Sequence, residues 1–289
     1  MHDLGTIARK VVMDAAVASG VIQRIPIADR EQWMRLRSQD VTASAIGALC
    51  GVHDYQTAYG LYCEKSGLLP AAVADDEPVI SEDGDEMVIP PTLRGTLFER
   101  AALDALTRMR PHWTVQPAND AYYRLVAARI GATPDAFAID PVRAGRGVVQ
   151  VKTTSDLIFR QKWHDADGAL EVPLWMACQA LTEAKLTGSS WACVVLLVVG
   201  ATTRLRIIDI PLHDPLWDRL LSDVREFWVR VADGRPYDAD YGRDGGLLGR
   251  LYPQDDGTEI DLTGDNRAAE LVAERLRLKA IERAGSAAE

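Results

Sequence analysis

The stretch at residues 147–153 reads GVVQVKT, an apolar run that carries a glutamine and a lysine two residues apart. Alternation along a strand puts Gln150 and Lys152 on one face and Val149 and Val151 on the other. A lysine on an otherwise apolar strand needs water, a partner or a task. An edge strand with a solvated polar face meets that need, and so does chemistry. Upstream, Asp135 follows Pro134 in TPDAFAID. The two segments predict a hairpin that turns around residues 141–147, where Arg143, Gly145, Arg146 and Gly147 suit a surface loop. Its register can bring Asp135 to Gln150 and Lys152, although an aspartate after proline is also an ordinary turn residue. A third group lies in GTLFERAALDALTRM. Its polar stripe is Arg100, Asp104, Thr107 and Arg108, and Glu99 falls instead with Ala102, Leu103 and Leu106. A carboxylate on an apolar face is costly unless paired, so it implies a buried salt bridge or a metal ion. Acidic oxygens suit Mg²⁺, which takes octahedral oxygen ligands and keeps waters. Such an ion polarises a phosphodiester and acidifies bound water, and a lysine orients or deprotonates that water.

These residues need elements to hold them. Helical patterns cover residues 30–37, 57–65, 96–109, a segment after Pro173, 215–231 and 268–283. Another begins after Thr42, with Thr42 or Ser44 as its cap. Strand-like runs cover 122–130, 136–139, 147–153, 191–199 and 204–210. This order predicts an α/β fold, with a central mixed β-sheet flanked by helices. The opening IARKVVMDAAVASG reads as an amphipathic helix rather than a secretory signal.

Residues 71–93 and 233–266 carry net charges of −7 and −6 within a total of −10, so the rest of the chain is slightly positive. The overall acidity therefore does not exclude a DNA groove lined by a few arginines. Residues 71–93 are rich in Pro, Asp and Glu and read as an exposed acidic insert loop. Cys50, Cys63, Cys178 and Cys193 form no CxxC pair and read as idle thiols in a reducing compartment. The five histidines show no metal spacing, and the apolar run at 192–199 is too short to span a bilayer. The chain reads as soluble and cytoplasmic.

Glu99, then Pro134-Asp135, then Gln150-x-Lys152 resembles the PD-(D/E)XK nuclease superfamily, and within it the lambda exonuclease and YqaJ-type viral recombinase family. The resemblance extends to WMRLRSQDVTASAIGALCGVHDYQTAYGLYCEKSG, to the helix GTLFERAALDAL and to VPLWMACQALTEAKLTGSSWACVVLLVVG. It covers roughly residues 33–237. It implies a single nuclease domain with a restriction-endonuclease-like core at about 30–237, and a C-terminal extension over 238–289 that ends in a helix. By the resemblance, Glu99, Asp135, Gln150 and the Val151 carbonyl would ligate Mg²⁺, with Mn²⁺ as an alternative, and Lys152 would act on the attacking water. Arg37, with Thr42 and Ser44, would bind the 5′-phosphate of DNA, and Gln179 would support the site. Taken alone, Arg37 reads as a solvent-facing helix residue and Gln179 as an ordinary helix polar residue. The family pattern carries Glu where this chain has Gln150, which predicts weaker metal binding.

The implied activity is a 5′→3′ exonuclease on double-stranded DNA that leaves 3′ single-stranded tails for phage-type recombination. The implied partners are DNA ends, a single-strand annealing protein and two further copies in a trimer. The implied setting is a bacterial host cell, with phage or prophage origin. The competing readings are a catalytically weakened module that binds DNA ends or a protein, and a structure-specific endonuclease.

Overall fold

The structure is a computed structural model and describes residues 20–69, 78–81, 83, 85–254, 257, 259, 261–262 and 264–286. The expected N-terminal helix, apart from Gly20, and residues 71–77 of the acidic insert lie outside the described residues. The strands are β1 (Ile22–Pro26), β2 (Val41–Thr42), β3 (Val79–Ile80), β4 (Met87–Val88), β5 (Thr114–Pro117), β6 (Ala121–Leu125), β7 (Ile130–Ala132), β8 (Ala136–Ile139), β9 (Arg146–Ser155), β10 (Trp191–Val199) and β11 (Arg204–Ile210). The helices are α1 (Arg30–Gln39), α2 (Ala58–Lys65), α3 (Pro91–Met109), α4 (Asp156–Lys162), α5 (Leu174–Thr187), α6 (Asp214–Asp233), α7 (Gly245–Leu251) and α8 (Asn266–Ser286). The described residues up to Leu247 and those from Leu248 onward form two compact units, and α8 belongs to the second.

The main sheet has the order β11-β10-β9-β8-β5. Strands β9 and β10 run parallel, and the other pairs are antiparallel. This is the mixed sheet between helices that the sequence predicts. Strand β10, an inner strand of this sheet, is apolar throughout because both of its faces are covered. On one face Ala102, Leu103 and Leu106 of α3 pack on Val149, Val151 and Val195. On the other, Ala180 and Ala184 of α5 pack on Val148, Val194 and Leu196. Each fully buried valine or leucine here contributes roughly 1.5–3 kcal/mol, and together these contacts fix which way Gln150 and Lys152 point. Gly147 permits the fit, since a Cβ there would overlap the Trp191 ring.

Three expectations need correction. Residues 122–130 are not one strand. The chain turns at Val126–Ala128, and Arg129 takes a left-handed conformation (φ 53°). Strands β6 and β7 then pair antiparallel, because the alanines at 127 and 128 break the apolar alternation. No α-helix follows Thr42. A single 3₁₀ turn, Ile46–Ala48, starts there without a side-chain cap, which leaves the hydroxyls of Thr42 and Ser44 for other use. The acidic insert is not all loop, since β3 and β4 form a hairpin and α3 begins at Pro91.

A second sheet, of order β1-β6-β7-β2, was not anticipated. It carries the end of α1 and the segment with Thr42 and Ser44. Asp40 fixes the junction. It is fully buried, ion-paired to Arg124 and hydrogen-bonded by the Tyr122 hydroxyl.

Candidate active site

The β8–β9 hairpin has the register Ala136↔Val149, which sets Asp135 beside Gln150 and Val151. Asp135 Oδ2 accepts from the backbone N–H of Val151 at 2.6 Å and from Gln150 Nε2 at 2.5 Å. Gln150 Nε2 also points to the Val151 carbonyl at 3.3 Å. From the facing helix α5, Gln179 Nε2 donates to Gln150 Oε1, and Gln179 Oε1 accepts from Lys152 Nζ, both at 3.0 Å. Asp135, Gln150, Lys152 and Gln179 thus form one hydrogen-bonded set. Gln150 and Gln179 are its buried floor, and Asp135 and Lys152 are half-open to solvent. Glu99 stands on α3, half-buried, close enough to exchange electrostatic influence with Asp135 and Lys152. It makes no ion pair among the described residues.

The structure adds a residue that sequence reasoning missed. Glu183, one turn after Gln179 on α5, is buried at 1% exposure. Its Oε1 accepts from Gln179 Nε2 at 2.9 Å, and its Oε2 has no hydrogen-bond partner. It fixes the Gln179 amide so that Oε1 faces Lys152. The signal was a carboxylate at i+4 from Gln179 inside the apolar run ACQALTEAKL.

Charge is scarce in this site. Burial, then the charge of Asp135, pushes the Glu99 carboxyl up to about 7, against the opposing pull of Lys152. Burial likewise raises Asp135, against Lys152 and the N–H donors of Val151 and Gln150. Glu183 is raised by burial and by Asp135. Three carboxyls share one lysine, and a divalent cation would supply the positive charge that the site lacks.

The donor set fits such a cation. Asp135 Oδ2 and the Val151 carbonyl converge on the positively polarised Gln150 Nε2, as oxygens converge on a metal. Gln150 differs from expectation here, because it presents its nitrogen, not its oxygen, to Asp135. Among the described residues no three His, Cys, Asp or Glu side chains form a metal cage. Amide and backbone oxygens would therefore have to complete the set.

Arg37, Thr42 and Ser44 come together in a cavity of about 180 Å³. Thr42 Oγ1 and Ser44 Oγ are 3.0 Å apart, and Arg37 Nη2 reaches Ser44 Oγ at 3.5 Å. Arg37 is half-buried and lines this cavity, so it is not simply the solvent-facing helix residue that it resembles when read alone, and burial lowers its guanidinium from its ordinary value. Lys65 of α2 also lines the cavity, donates to the Arg37 carbonyl and pairs with Glu64 at 2.8 Å. Two cations face one carboxylate, which leaves the cavity cationic.

All four cysteines are free thiols. No helix among the described residues is long and apolar enough to cross a membrane.

Residues 32–190 match the YqaJ-like viral recombinase domain. Among solved structures, the chain is similar to an alkaline exonuclease from Laribacter hongkongensis, with 17% identity, 75% of this chain and 99% of that chain covered, and a TM-score of 0.48. The complex of that enzyme with dAMP matches at 16% identity, 76% and 96% coverage and a TM-score of 0.48. A SOX–DNA complex matches at 10% identity, 73% and 70% coverage and a TM-score of 0.41. No curated protein matches the chain.

Proposed function

Since the chain belongs to the YqaJ-like viral recombinase family and is thereby a nuclease of the lambda exonuclease type, we propose that it is a metal-dependent exonuclease that degrades duplex DNA from 5′-phosphorylated ends. The observation that carries this reading is the hydrogen-bonded set Asp135–Gln150–Gln179–Lys152, held by the start of β8, by β9 and by α5, with Glu99 beside it and the cationic Arg37 cavity in the same matched segment.

The roles follow from the chemistry of each group. Glu99, Asp135 and the Val151 carbonyl would hold Mg²⁺ or Mn²⁺, and Gln150 would join once its amide turns Oε1 toward the ion. The ion supplies Lewis acidity at the phosphodiester and an acidified water. Lys152, held by Gln179, would orient the attacking water and offset the charge that develops on phosphate. The Arg37 fork, with the hydroxyls of Thr42 and Ser44, grips the terminal phosphate and sets the 5′ end as the starting point. The product is a 3′ single-stranded tail, the substrate of a single-strand annealing protein. A trimeric ring around the DNA would let an acidic exterior coexist with a basic lining.

Degradation of a linear 5′-phosphorylated duplex tests this, with a covalently closed circle as the second substrate. Loss of the linear DNA alone, abolished by chelator and by Lys152→Ala, is the expected result. Cleavage of the circle would make the protein an endonuclease. The donor that Gln150 turns toward Asp135 favours a second reading, a DNA-end binding module without turnover. DNA binding with no degradation at any Mg²⁺ or Mn²⁺ concentration would establish it.

A further inference from the structure

A group of aromatic rings joins the Arg37 cavity to Lys152, and none of them has a task in the reading above. His53 donates from Nε2 to the carbonyl of Ser44, a wall of the cavity, at 3.1 Å. Its ring centroid lies 4.6 Å from that of Trp175. The Trp175 ring in turn lies 5.5 Å from Lys152 Nζ. Tyr55 meets Trp175 edge-on, with centroids 6.2 Å apart and planes at 84°.

Tyr55 is 79% exposed, yet its loop is held firmly. The bare Nδ1 of His53 accepts from the backbone N–H groups of Tyr55 and Gln56, both at 3.0 Å. Arg243 binds the carbonyls of His53 and Gln56. Asp54 pairs with Lys162 at 2.7 Å. Trp175 is seated by Gly47, where a Cβ would lie 2.8 Å from the Trp175 Cβ. Its buried Nε1 has no hydrogen-bond partner, although buried indoles usually find one. Ring packing therefore sets the position of Trp175. The result is an open aromatic face on a rigid support, the arrangement with which proteins bind unpaired bases by stacking.

We propose that His53, Tyr55 and Trp175 form a stacking site for the nucleobase of the 5′-terminal nucleotide, with Tyr55 as the open platform. This rests on the exonuclease reading. If the Arg37 cavity holds the terminal phosphate and Lys152 faces the phosphodiester to be cut, one nucleoside spans the two, and the rings lie along that span. A base held there has left its complement. Stacking tolerates all four bases, because each has a π-face, which suits an enzyme that must advance along any sequence.

The test uses the full chain in chelator, so that nothing is cleaved. The ligands are 5′-phosphorylated duplexes whose terminal residue is 2-aminopurine, adenine or an abasic site. Wild type is expected to quench the terminal 2-aminopurine. Tyr55→Ala should remove the quenching and weaken binding of the adenine duplex by about tenfold, while leaving the abasic duplex unchanged. Tyr55→Phe, which keeps the ring, should behave as wild type. Equal losses on the adenine and abasic duplexes, or no loss on either, would overturn the stacking site while leaving the exonuclease reading intact. A wild-type protein that binds no DNA end would overturn both.

Discussion

Replacing Gln150 by Glu restores the carboxylate that the family pattern carries, and the structure says what that does in each state of the site. Without metal, the change removes a hydrogen bond that Gln150 Nε2 donates to Asp135 Oδ2 at 2.5 Å. A bond of this kind to a charged acceptor contributes about 1.5–3 kcal/mol. It also sets two carboxylates side by side, where like charges about 4 Å apart repel by about 4 kcal/mol at an effective dielectric of 20. A shared proton relieves that repulsion, so the penalty depends on pH. The pair holds its proton more tightly folded than unfolded. Its stability is therefore complete below the unfolded pKa, falls by about 1.4 kcal/mol per unit as pH rises from the unfolded to the folded pKa, and is lost beyond it. With a divalent cation the sign reverses, because the added charge attracts the ion. After desolvation, a gain of ten- to a hundredfold in metal affinity is expected, about 1.4–2.8 kcal/mol. Titration calorimetry with Mg²⁺ and melting curves from pH 5 to 9, with and without the ion, measure both effects. A Gln150→Glu protein that binds Mg²⁺ no more tightly than wild type would refute the placement of residue 150 at the metal. Equal stability of the two proteins across that pH range without metal would refute the contact with Asp135.

Further outcomes follow from the same geometry. Glu99, Asp135 and Glu183 are all raised above ordinary carboxylates, so the stability they contribute is complete below about pH 4 and is lost as pH rises through their folded values. The melting temperature of the metal-free protein should fall from pH 5 to 9, and Glu183→Gln, which mimics the protonated acid, should flatten the fall. A melting temperature that climbs over this range would contradict the burial argument. Arg37→Ala should cut the preference for 5′-phosphate over 5′-hydroxyl ends by about tenfold or more. Arg37→Lys should not restore it, because an ammonium lacks the planar fork. Relative degradation rates on the two ends decide this.

Where local pattern and tertiary environment agree, the sequence was legible. Strands β8, β10 and β11 have the bounds that the sequence pattern predicts, and the β8–β9 hairpin takes a register that places Asp135 beside Gln150, one of those the sequence allows. Alternation alone puts Gln150 and Lys152 on a common face. It does not say that this face meets α5, and only the packing of α3 and α5 on opposite sides of the sheet decides that. Glu183 escaped notice because α5 is buried almost all round, so its apolar residues mark no inward side. The second sheet escaped because it pairs Ile22 with Leu125, and no local period records a pairing so distant. Arg37 and Ser44 are seven residues apart, yet the cavity they share also needs Lys65 from another helix. Periodicity fixes the side of an element on which a residue lies. What that side meets depends on long-range packing, and there the charge, burial and partner of each candidate site residue are set.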